Sequence, residues 1–525
     1  MISRLSFGFA ILFAVAYTQP FEFYSNQHQY YLHAVAEQDG HFLAQDWLAN
    51  TTDPTPLFTT LASLSFRVSG PWLQHAILFL ALLVYFLAMA DLADSLNLLP
   101  PQRAGQSLAF ALFTLSHAGI VRFASDRLLG ADYPWFLQCG LANQYVLGPG
   151  LQPSVIGVLL LVSIACFCRG YAVWATGLAV GANVFHATYL LPAALLIAGY
   201  LCATLRDNGD GYAKKRALII TGVALALALP IAGFTSDRFQ AVLGPKETRL
   251  AEEIIAFTRI PHHTWPARWL DIAGVGQLVL LLVGGVLLRR TRLFPVVLMV
   301  AVLACLGTAV VVITKNPTAA LLFPYRISSV FIPIATLTLC AWVGRGLAKW
   351  VALSWSLAGI ASVAAVGGAA AVYALHLGYQ EPASEIAVMD FVKRSAAAND
   401  VYMLPARFPT PSPKPGVYSA TFSKPPSPSA TVFFELARFR IVTGARVYVD
   451  YKSIPYRDDE VLEWHRRVVL CEEFFKQKVL TVTMLHELRN EGITHMIAPK
   501  RFEASHSDLQ LLHDDGIYRV FKVNE

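Results

Sequence analysis

Eleven apolar segments, each long enough to cross a lipid bilayer as a helix, constrain the fold of this 525-residue chain more than any other feature. A helix needs about 20 residues to span the hydrocarbon core. With 55% hydrophobic and only 14% charged residues, the chain also has too few charges to cover a soluble globule of its size. The sequence therefore predicts an integral membrane protein with spans at 4–20, 72–94, 104–121, 153–169, 171–187, 188–205, 217–235, 271–288, 295–314, 327–345 and 350–376.

The region 171–205 can be divided in two ways. Asn183, His186 and Pro192 interrupt a single apolar run there. We predict two short helices joined by a turn at the outer surface, and the alternative is one kinked helix with a re-entrant piece. Because one span more or less would invert every later loop, the orientation needs a separate criterion.

Lysine and arginine supply that criterion, since they concentrate in the short cytoplasmic loops of membrane proteins. A cytoplasmic N-terminus and eleven spans place these basic residues inside: Arg103, Arg169, Arg206, Lys214, Lys215, Arg216, the RRTR at 289–292, Arg345 and Lys349. The longer outer loops carry mixed charge and lie at 21–71, 122–152, 236–270 and 315–326. These orienting residues explain most of the net charge of +6, so we predict no nucleic-acid partner. No convincing cleavage site follows the first segment, which favours an uncleaved first helix.

From about residue 377 the charge density becomes that of a soluble protein. Helical and extended patterns alternate there around a Pro/Ser-rich loop at 410–430, which is typical of a small sheet flanked by helices. The predicted fold class is therefore mainly α, a polytopic membrane helical bundle of about eleven transmembrane helices (1–376) with a C-terminal extramembrane α/β domain (377–525).

The chain contains none of the common catalytic fingerprints. GxxxxGK[ST], GxGxxG after a strand, HExxH and GxSxG are all absent from the sequence. ATP is also absent from the outer side of a membrane. Lipid-linked substrates, transport and binding remain as the classes of function.

The first outer loop is the most unusual polar segment. Between Phe21 and Phe58 it holds five acids, three His, four Tyr or Trp and no Lys or Arg. Sugar recognition uses aromatic faces and polar groups of this kind, so we predict substrate-binding roles for Asn26, Gln27, His28, Tyr31, His41 and Trp47. Asp39 and Asp46 are seven residues apart, which on a helix places both on one face. The alternative is an interfacial helix whose polar face is simply solvated.

Further candidates lie in the later outer loops. Asp126 and Asp132 occupy the second loop, and Glu37 accompanies the acids of the first. In the third loop, LAEEIIAFTRI has the spacing of a helix lying on the bilayer surface, and His262 and His263 follow it. Adjacent histidines alone are a poor metal signal, so we predict no metal ligands, although a divalent cation stays open as a cofactor.

One arginine and one polar segment also have predicted partners. Arg326 lies at the outer start of a span, where its guanidinium could clamp a phosphate, and snorkelling to the interface is the alternative. In the soluble domain, the polar and aromatic stretch RVYVDYKSIPYRDDEVLEWHRR contains Asp450, Lys452, Tyr456, Trp464 and Arg467. It is predicted to dock that domain on the membrane loops, and binding of the acceptor is the alternative.

In layout the chain resembles the GT-C superfamily of polytopic membrane glycosyltransferases. The shared features are an outer loop after a single first helix, about a dozen spans and a C-terminal outer domain. The resemblance implies transfer of a sugar from a polyprenyl-phosphate carrier to a glycan, lipid or protein acceptor, with catalytic acids in the first and second outer loops. Asn26-Gln27 stand where an acid pair is expected, and an amide cannot act as a base. The base is therefore predicted in the order Asp39, Asp46, Asp126 and Asp132.

Two other functions fit parts of the sequence. One is a catalytically inactive GT-C-like scaffold that binds or assembles lipid-linked glycans, and the other is a polytopic transporter. Mid-span positions almost entirely lack acidic and basic residues, which disfavours transport. We predict a bacterial inner-membrane protein of the cell envelope with its C-terminal domain in the periplasm. A eukaryotic endomembrane is the alternative, and Asn50-Thr51-Thr52 would be a glycosylation acceptor there.

Overall fold

The computed structural model describes residues 3–17, 23–24, 26–38, 42–206, 212–377, 379, 381–408, 436–477, 480–502 and 506–524. Asp39, His41 and the Pro/Ser-rich loop, on which several predictions fall, lie outside these residues. The described chain is a helical bundle followed by a small mixed domain, which confirms the predicted fold class.

The bundle contains a helix in each of the eleven predicted segments. Six of its described helices are long and apolar enough to cross a bilayer. The helices Arg103–His117 and Gly119–Leu129 form a pair bent by 56°, which has the length of a seventh span if both helices belong to one crossing. Four further apolar helices have 17 residues or fewer. The helices are Arg4–Ala16, Gln27–Tyr30, Leu32–Ala36, Pro56–Ser69, Pro71–Ser95, Arg103–His117, Gly119–Leu129, Val158–Cys168, Ala172–Phe185, Leu190–Arg206, Ala213–Arg238, Pro245–Glu253, Pro261–Thr264, Pro266–Trp269, Ile272–Leu288, Phe294–Thr314, Pro317–Leu321, Ser328–Leu347 and Val351–Ala374.

The region 171–205 forms two helices joined by a single 3₁₀ turn at Ala187–Tyr189, as the sequence predicts. Helix Ser328–Leu347 is central, since most of its residues are buried, whereas Ala213–Arg238 and Phe294–Thr314 expose most of their apolar surface. In a bilayer that exposed surface would face lipid. Gly344 permits the tightest packing of the central helix, because a Cβ there would lie 2.4 Å from the carbonyl oxygen of Gly105.

The C-terminal domain contains a five-stranded sheet in the order β2-β1-β3-β5-β4. β1 is parallel to β2 and β3, and β5 is antiparallel to β3 and β4. The strands are β1 Val401–Met403, β2 Arg446–Val447, β3 His495–Pro499, β4 Leu509–Asp514 and β5 Tyr518–Val523. The domain's helices are Ala383–Ser395, Phe439–Thr443, Asp458–Lys476 and Val482–Asn490.

Alternate residues of β3 serve two apolar cores, one on each face of the sheet. Met496 belongs to the core around Trp464, and Ile497 belongs to the core around Val388. This alternation follows from the two-residue period of a strand. Helices therefore flank the small sheet on both sides, as predicted.

The amphipathic stretch of the third outer loop has a different partner from the predicted bilayer. It forms helix Pro245–Glu253 and a π-helix, Ile254–Arg259. Ile254 and Ile255 are buried in the same apolar core as Trp464 of the C-terminal domain. Periodicity shows that one face of a helix is apolar, but it does not show whether lipid or protein covers that face.

The predicted outer loops meet one another and the C-terminal domain. Gln29 of the first loop donates to the carbonyl oxygen of Ile454 at 2.9 Å, and the backbone of Leu243 in the third loop donates to Asp458 at 3.0 Å. Asn26 donates to the hydroxyl of Tyr145 in the second loop at 3.2 Å. The candidate site lies at this junction.

Candidate functional site

A strained segment after the second outer loop's helices forms one wall of the site. Ala142 and Asn143 both have φ of 56°, in the left-handed region that residues other than glycine rarely adopt. The ring of His263 donates from Nδ1 to the carbonyl oxygen of Ala142 at 2.7 Å, and Gln277 and Ser328 hold the preceding turn. Strain of this kind persists where surrounding contacts impose it, often at functional sites.

Arg326 lies beside this segment with only 7% of its surface exposed. Its guanidinium donates to the side-chain oxygen of Gln144 and stacks on Tyr189 at 5.0 Å. Its Nε has no hydrogen-bond partner among the described residues, and no described carboxylate forms an ion pair with it. The predicted phosphate clamp is thus a buried cation whose Nε–H can still donate a hydrogen bond to a ligand.

Arg259 approaches from the third outer loop and is 6% exposed. It ends the π-helix, in which the backbone of Ile260 donates to the carbonyl oxygen of Ile255 at 3.0 Å. Such wide turns are rare and often occur at functional sites. The guanidinium stacks on Tyr451 at 5.1 Å and donates to the carbonyl oxygen of Lys452, while its Nε has no partner in the described part of the chain.

Two histidines lie near both arginines, with ring centroids 4.0 Å apart. Burial lowers the pKa of His263 to about 3; the charges of Arg326, Lys452 and Arg259 act in the same direction, and its bond to Ala142 opposes them. Burial also lowers the pKa of His262, with further contributions from His263, Arg259 and Lys452. Both rings are therefore neutral at neutral pH, and they offer hydrogen bonds without charge.

Lys452 of the C-terminal domain completes the group. Burial lowers the pKa of its amine to about 7, the charge of Arg259 lowers it further, and Asp450 raises it. His28 of the first loop is buried nearby, its Nδ1 has no partner among the described residues, and burial and the charge of Lys452 lower its pKa. We call Arg259, Arg326, Lys452, His28, His262 and His263 the cationic cluster.

The cationic cluster has the chemistry of an anion site. Guanidinium groups bind phosphate through paired N–H donors and keep their charge at every physiological pH. A buried cation without a counter-ion is costly, because desolvation is not repaid by attraction to an opposite charge. An anion bound between Arg326 and Arg259 would remove that cost.

Other predicted binding residues have structural contacts. Gln27 donates to the carbonyl oxygen of Leu151 at 3.0 Å, and the hydroxyl of Tyr31 donates to the same oxygen at 2.9 Å. The ring of Trp47 packs under Arg467 of the C-terminal domain at 4.3 Å. These contacts brace the loops and dock the domain, as predicted for the stretch that contains Arg467.

Three of the predicted acids are buried. Asp46 is fully buried and accepts from Arg440 at 3.0 Å and from the backbone of Val447 at 2.8 Å. Asp132 pairs with buried Arg122 at 2.7 Å, and Asp126 is 3% exposed. Asp46 follows a 3₁₀ helix at Phe42–Gln45, whereas the preceding α-helix ends at Ala36. The predicted shared face of Asp39 and Asp46 is not tested, because Asp39 lies outside the described residues.

Among the predicted acids that the structure describes, Glu37 is the one that stays open to solvent. Its carboxylate accepts from the hydroxyl of Ser63 at 2.6 Å and lies 4.0 Å from exposed Arg67. It borders a polar cavity of about 540 Å³ that is also lined by His33, Thr51, Thr52, Asp53, Pro56, Thr59, Thr60 and Arg238. Hydroxyls and carboxylates in this arrangement suit a ligand rich in hydroxyl groups.

The described residues contain no group of three or more His, Cys, Asp or Glu side chains that could hold a metal ion.

Only one of the two arginines of the cationic cluster was a candidate in the sequence analysis. Arg326 was predicted, whereas Arg259 was not. A signal was present, because an arginine beside histidines in an outer loop runs against the positive-inside pattern.

Comparison with known proteins gives matches of low similarity. A domain of unknown function, DUF6798, matches residues 420–471. The structure is similar to that of ArnT from Cupriavidus metallidurans bound to undecaprenyl phosphate, with 11% identity, a TM-score of 0.47, and coverage of 98% of this chain and 96% of that chain. Apo ArnT gives 12% identity, a TM-score of 0.37 and the same coverage. No curated protein matches the sequence.

Identity and TM-score are both too low to transfer residue roles from ArnT to this chain.

Proposed function

We propose that this protein is a membrane-embedded glycosyltransferase that takes a sugar from a polyprenyl-phosphate carrier at the outer, periplasmic face of a bacterial inner membrane. The observation that carries the proposal is the pair Arg326 and Arg259, both buried, both with an Nε that has no described partner, and neither paired with a described carboxylate. A phosphate ester supplies the missing charge and acceptors.

The position of the cationic cluster favours a lipid-linked phosphate. Arg326 lies two residues before helix Ser328–Leu347, and Tyr189, on which it stacks, directly precedes helix Leu190–Arg206. A phosphate bound there would lie at the ends of apolar helices. Its polyprenyl chain could then extend along those helices into the bilayer.

Transfer of the sugar needs stabilisation of the leaving phosphate and a base for the acceptor hydroxyl. An acceptor hydroxyl attacks the anomeric carbon of the sugar, the bond from that carbon to the phosphate oxygen breaks, and the phosphate leaves with the electron pair. The two arginines would stabilise this developing charge. A carboxylate takes the hydroxyl proton, and we assign that role to Glu37, with Asp39 as the alternative.

Release of polyprenyl phosphate from polyprenyl-phosphate sugars tests the proposal, with the purified protein in lipid nanodiscs and a glycan, lipid or protein supplied as acceptor of the sugar. We expect release by the wild type, a loss of about 100-fold in Arg326→Gln, and a loss of at least about 100-fold in Glu37→Gln or Asp39→Asn. Arg249→Gln is the matched control, because Arg249 is exposed and pairs only with Glu253 at 3.0 Å among the described residues. Equal activity in Arg326→Gln and wild type would contradict the phosphate site.

An inactive scaffold that binds the lipid-linked sugar is the second candidate. Three observations favour it: Asn26-Gln27 replace the expected acids, and Asp46 and Asp132 are both engaged in buried ion pairs. Wild-type protein that binds the donor but releases no polyprenyl phosphate with any acceptor would support this reading over transfer.

A further inference from the structure

One turn of the C-terminal domain, residues 450–456, reaches into the cationic cluster. The hydroxyl of Tyr451 donates to the carbonyl oxygen of Thr258 at 3.1 Å, next to Arg259. On the other side, Gln29 of the first loop donates to the carbonyl oxygen of Ile454 and to the hydroxyl of Tyr456 at 3.0 Å. Lys452 lies between these two anchor points, so its position is set by contacts with two membrane loops.

A buried ion bridge fixes the beginning of this turn. Arg440 is 3% exposed and lies between Asp46, at 0%, and Asp450, at 5%. Its Nε donates to Asp46 at 3.0 Å, and its Nη1 donates to Asp450. Asp450 in turn accepts from the backbone of Ser453 at 2.6 Å, which closes the turn around Lys452.

The bridge joins two parts of the chain that are far apart in sequence. Asp46 belongs to the first outer loop, and the other two residues belong to the C-terminal domain. Buried ion networks contribute little net stability compared with apolar packing, but they can specify one arrangement, because any other leaves a buried charge unpaired. A side chain of the C-terminal domain can bind a phosphate held by the membrane loops only if the domain keeps a fixed position relative to those loops.

We propose that Lys452 is a phosphate ligand supplied by the C-terminal domain, and that the Asp46–Arg440–Asp450 bridge positions it, so that the site is complete only when this domain is docked. This inference rests on the proposed function. It gives Asp46 a positioning role in place of the predicted role as a base.

Binding of undecaprenyl phosphate to the full-length protein in nanodiscs tests the inference. Lys452→Met should weaken binding about 10-fold, the effect of one charge-assisted hydrogen bond, whereas Lys452→Arg should stay within about 3-fold of wild type. Undecaprenol, which lacks the phosphate, should bind equally to all three proteins. Inorganic phosphate tests the headgroup alone, and it should compete in wild type more effectively than in Lys452→Met.

A double-variant comparison separates positioning from a purely structural role. Asp46→Asn alone should weaken binding about 3- to 10-fold, but it should cause no further loss in the Lys452→Met background, because the residue it positions is already gone. If the losses of affinity in the two single variants add up in the double variant, Asp46 does not act by positioning Lys452. If Asp46→Asn does not fold, Asp450→Asn takes its place in the same comparison.

The outcomes distinguish this inference from the proposed function. If Arg326→Gln loses undecaprenyl phosphate and Lys452→Met does not, the C-terminal domain supplies no phosphate ligand, but the phosphate site stands. If the wild type does not bind undecaprenyl phosphate at all, the proposed function itself is wrong.

Discussion

Some ionisable side chains of this protein are buried, where desolvation makes the charged form unfavourable. Lys452 is the clearest case, because burial lowers the pKa of its amine to about 7 and the charge of Arg259 lowers it further. The groups that face it are Arg259, Asp450 and the histidines 28, 262 and 263. Those histidines have lowered pKa values and stay neutral at neutral pH, so Lys452 is the member of the cationic cluster that titrates there.

We predict that affinity for a polyprenyl-phosphate sugar falls about 10-fold between pH 6 and pH 9, because the amine of Lys452 loses its charge over that range. A phosphodiester does not titrate there, so the change reports on the protein. Lys452→Arg should bind with the same affinity at both pH values. Titrations of wild type and variant at the two pH values check this, and an equal fall in both proteins would exclude Lys452 as the cause.

The lowered pKa of Lys452 also makes the free energy of unfolding depend on pH, and the direction follows from comparing its pKa in the folded and unfolded states. The lysine binds its proton more tightly when unfolded, at a pKa of 10.5, than when folded, at about 7. The free energy of unfolding of the ligand-free protein therefore gains a contribution from Lys452 that rises between these pH values and is absent in Lys452→Met.

Residue roles were the part of the site that the sequence left open. Spacing suggested Asp46 as a base, but its partner Arg440 lies 394 residues later in the chain. A carboxylate in a catalytic pocket and a carboxylate in a buried ion pair look alike in one sequence. Arg326 could be predicted because its position at the start of a span is a local property.

Whole elements were predicted more successfully than side chains, because hydropathy and periodicity are local. The span helices and the small flanked sheet follow from such patterns, whereas the close approach of two helices depends on the three-dimensional packing. Gly344 and Gly346 illustrate the difference, since both lie in helix Ser328–Leu347. A Cβ at Gly344 meets the backbone of Gly105, but a Cβ at Gly346 meets nothing within 4 Å.

We predict opposite effects of alanine at these two glycines. Gly344→Ala should destabilise the protein by about 1–3 kcal/mol, because two backbones must separate. Gly346→Ala should be neutral or stabilising by up to about 1 kcal/mol, because alanine favours the helix and has space. Thermal unfolding in detergent compares the two variants. An equal loss of thermal stability in both variants would show that helix 328–347 does not pack this closely on Gly105.

At the scale of the whole molecule, the described outer loops and the C-terminal domain gather on one face. The positive-inside pattern predicts that this face is periplasmic. A C-terminal alkaline phosphatase fusion should therefore be active in a bacterial host, and a C-terminal fluorescent protein that folds only in the cytoplasm should be dark. The reverse result would require an even number of spans, and would place the cationic cluster on the cytoplasmic side.

The bridge between Asp46 and Arg440 also has a consequence for biosynthesis. At about 5–20 residues per second, roughly 20–80 s pass between synthesis of the first loop and arrival of its partner 394 residues later. Until then Asp46 has to stay hydrated outside the finished fold. Chains that stop before residue 440 can never close the bridge, so they should keep an open first loop that proteases recognise. Closure of the bridge therefore marks a chain whose synthesis has passed residue 440.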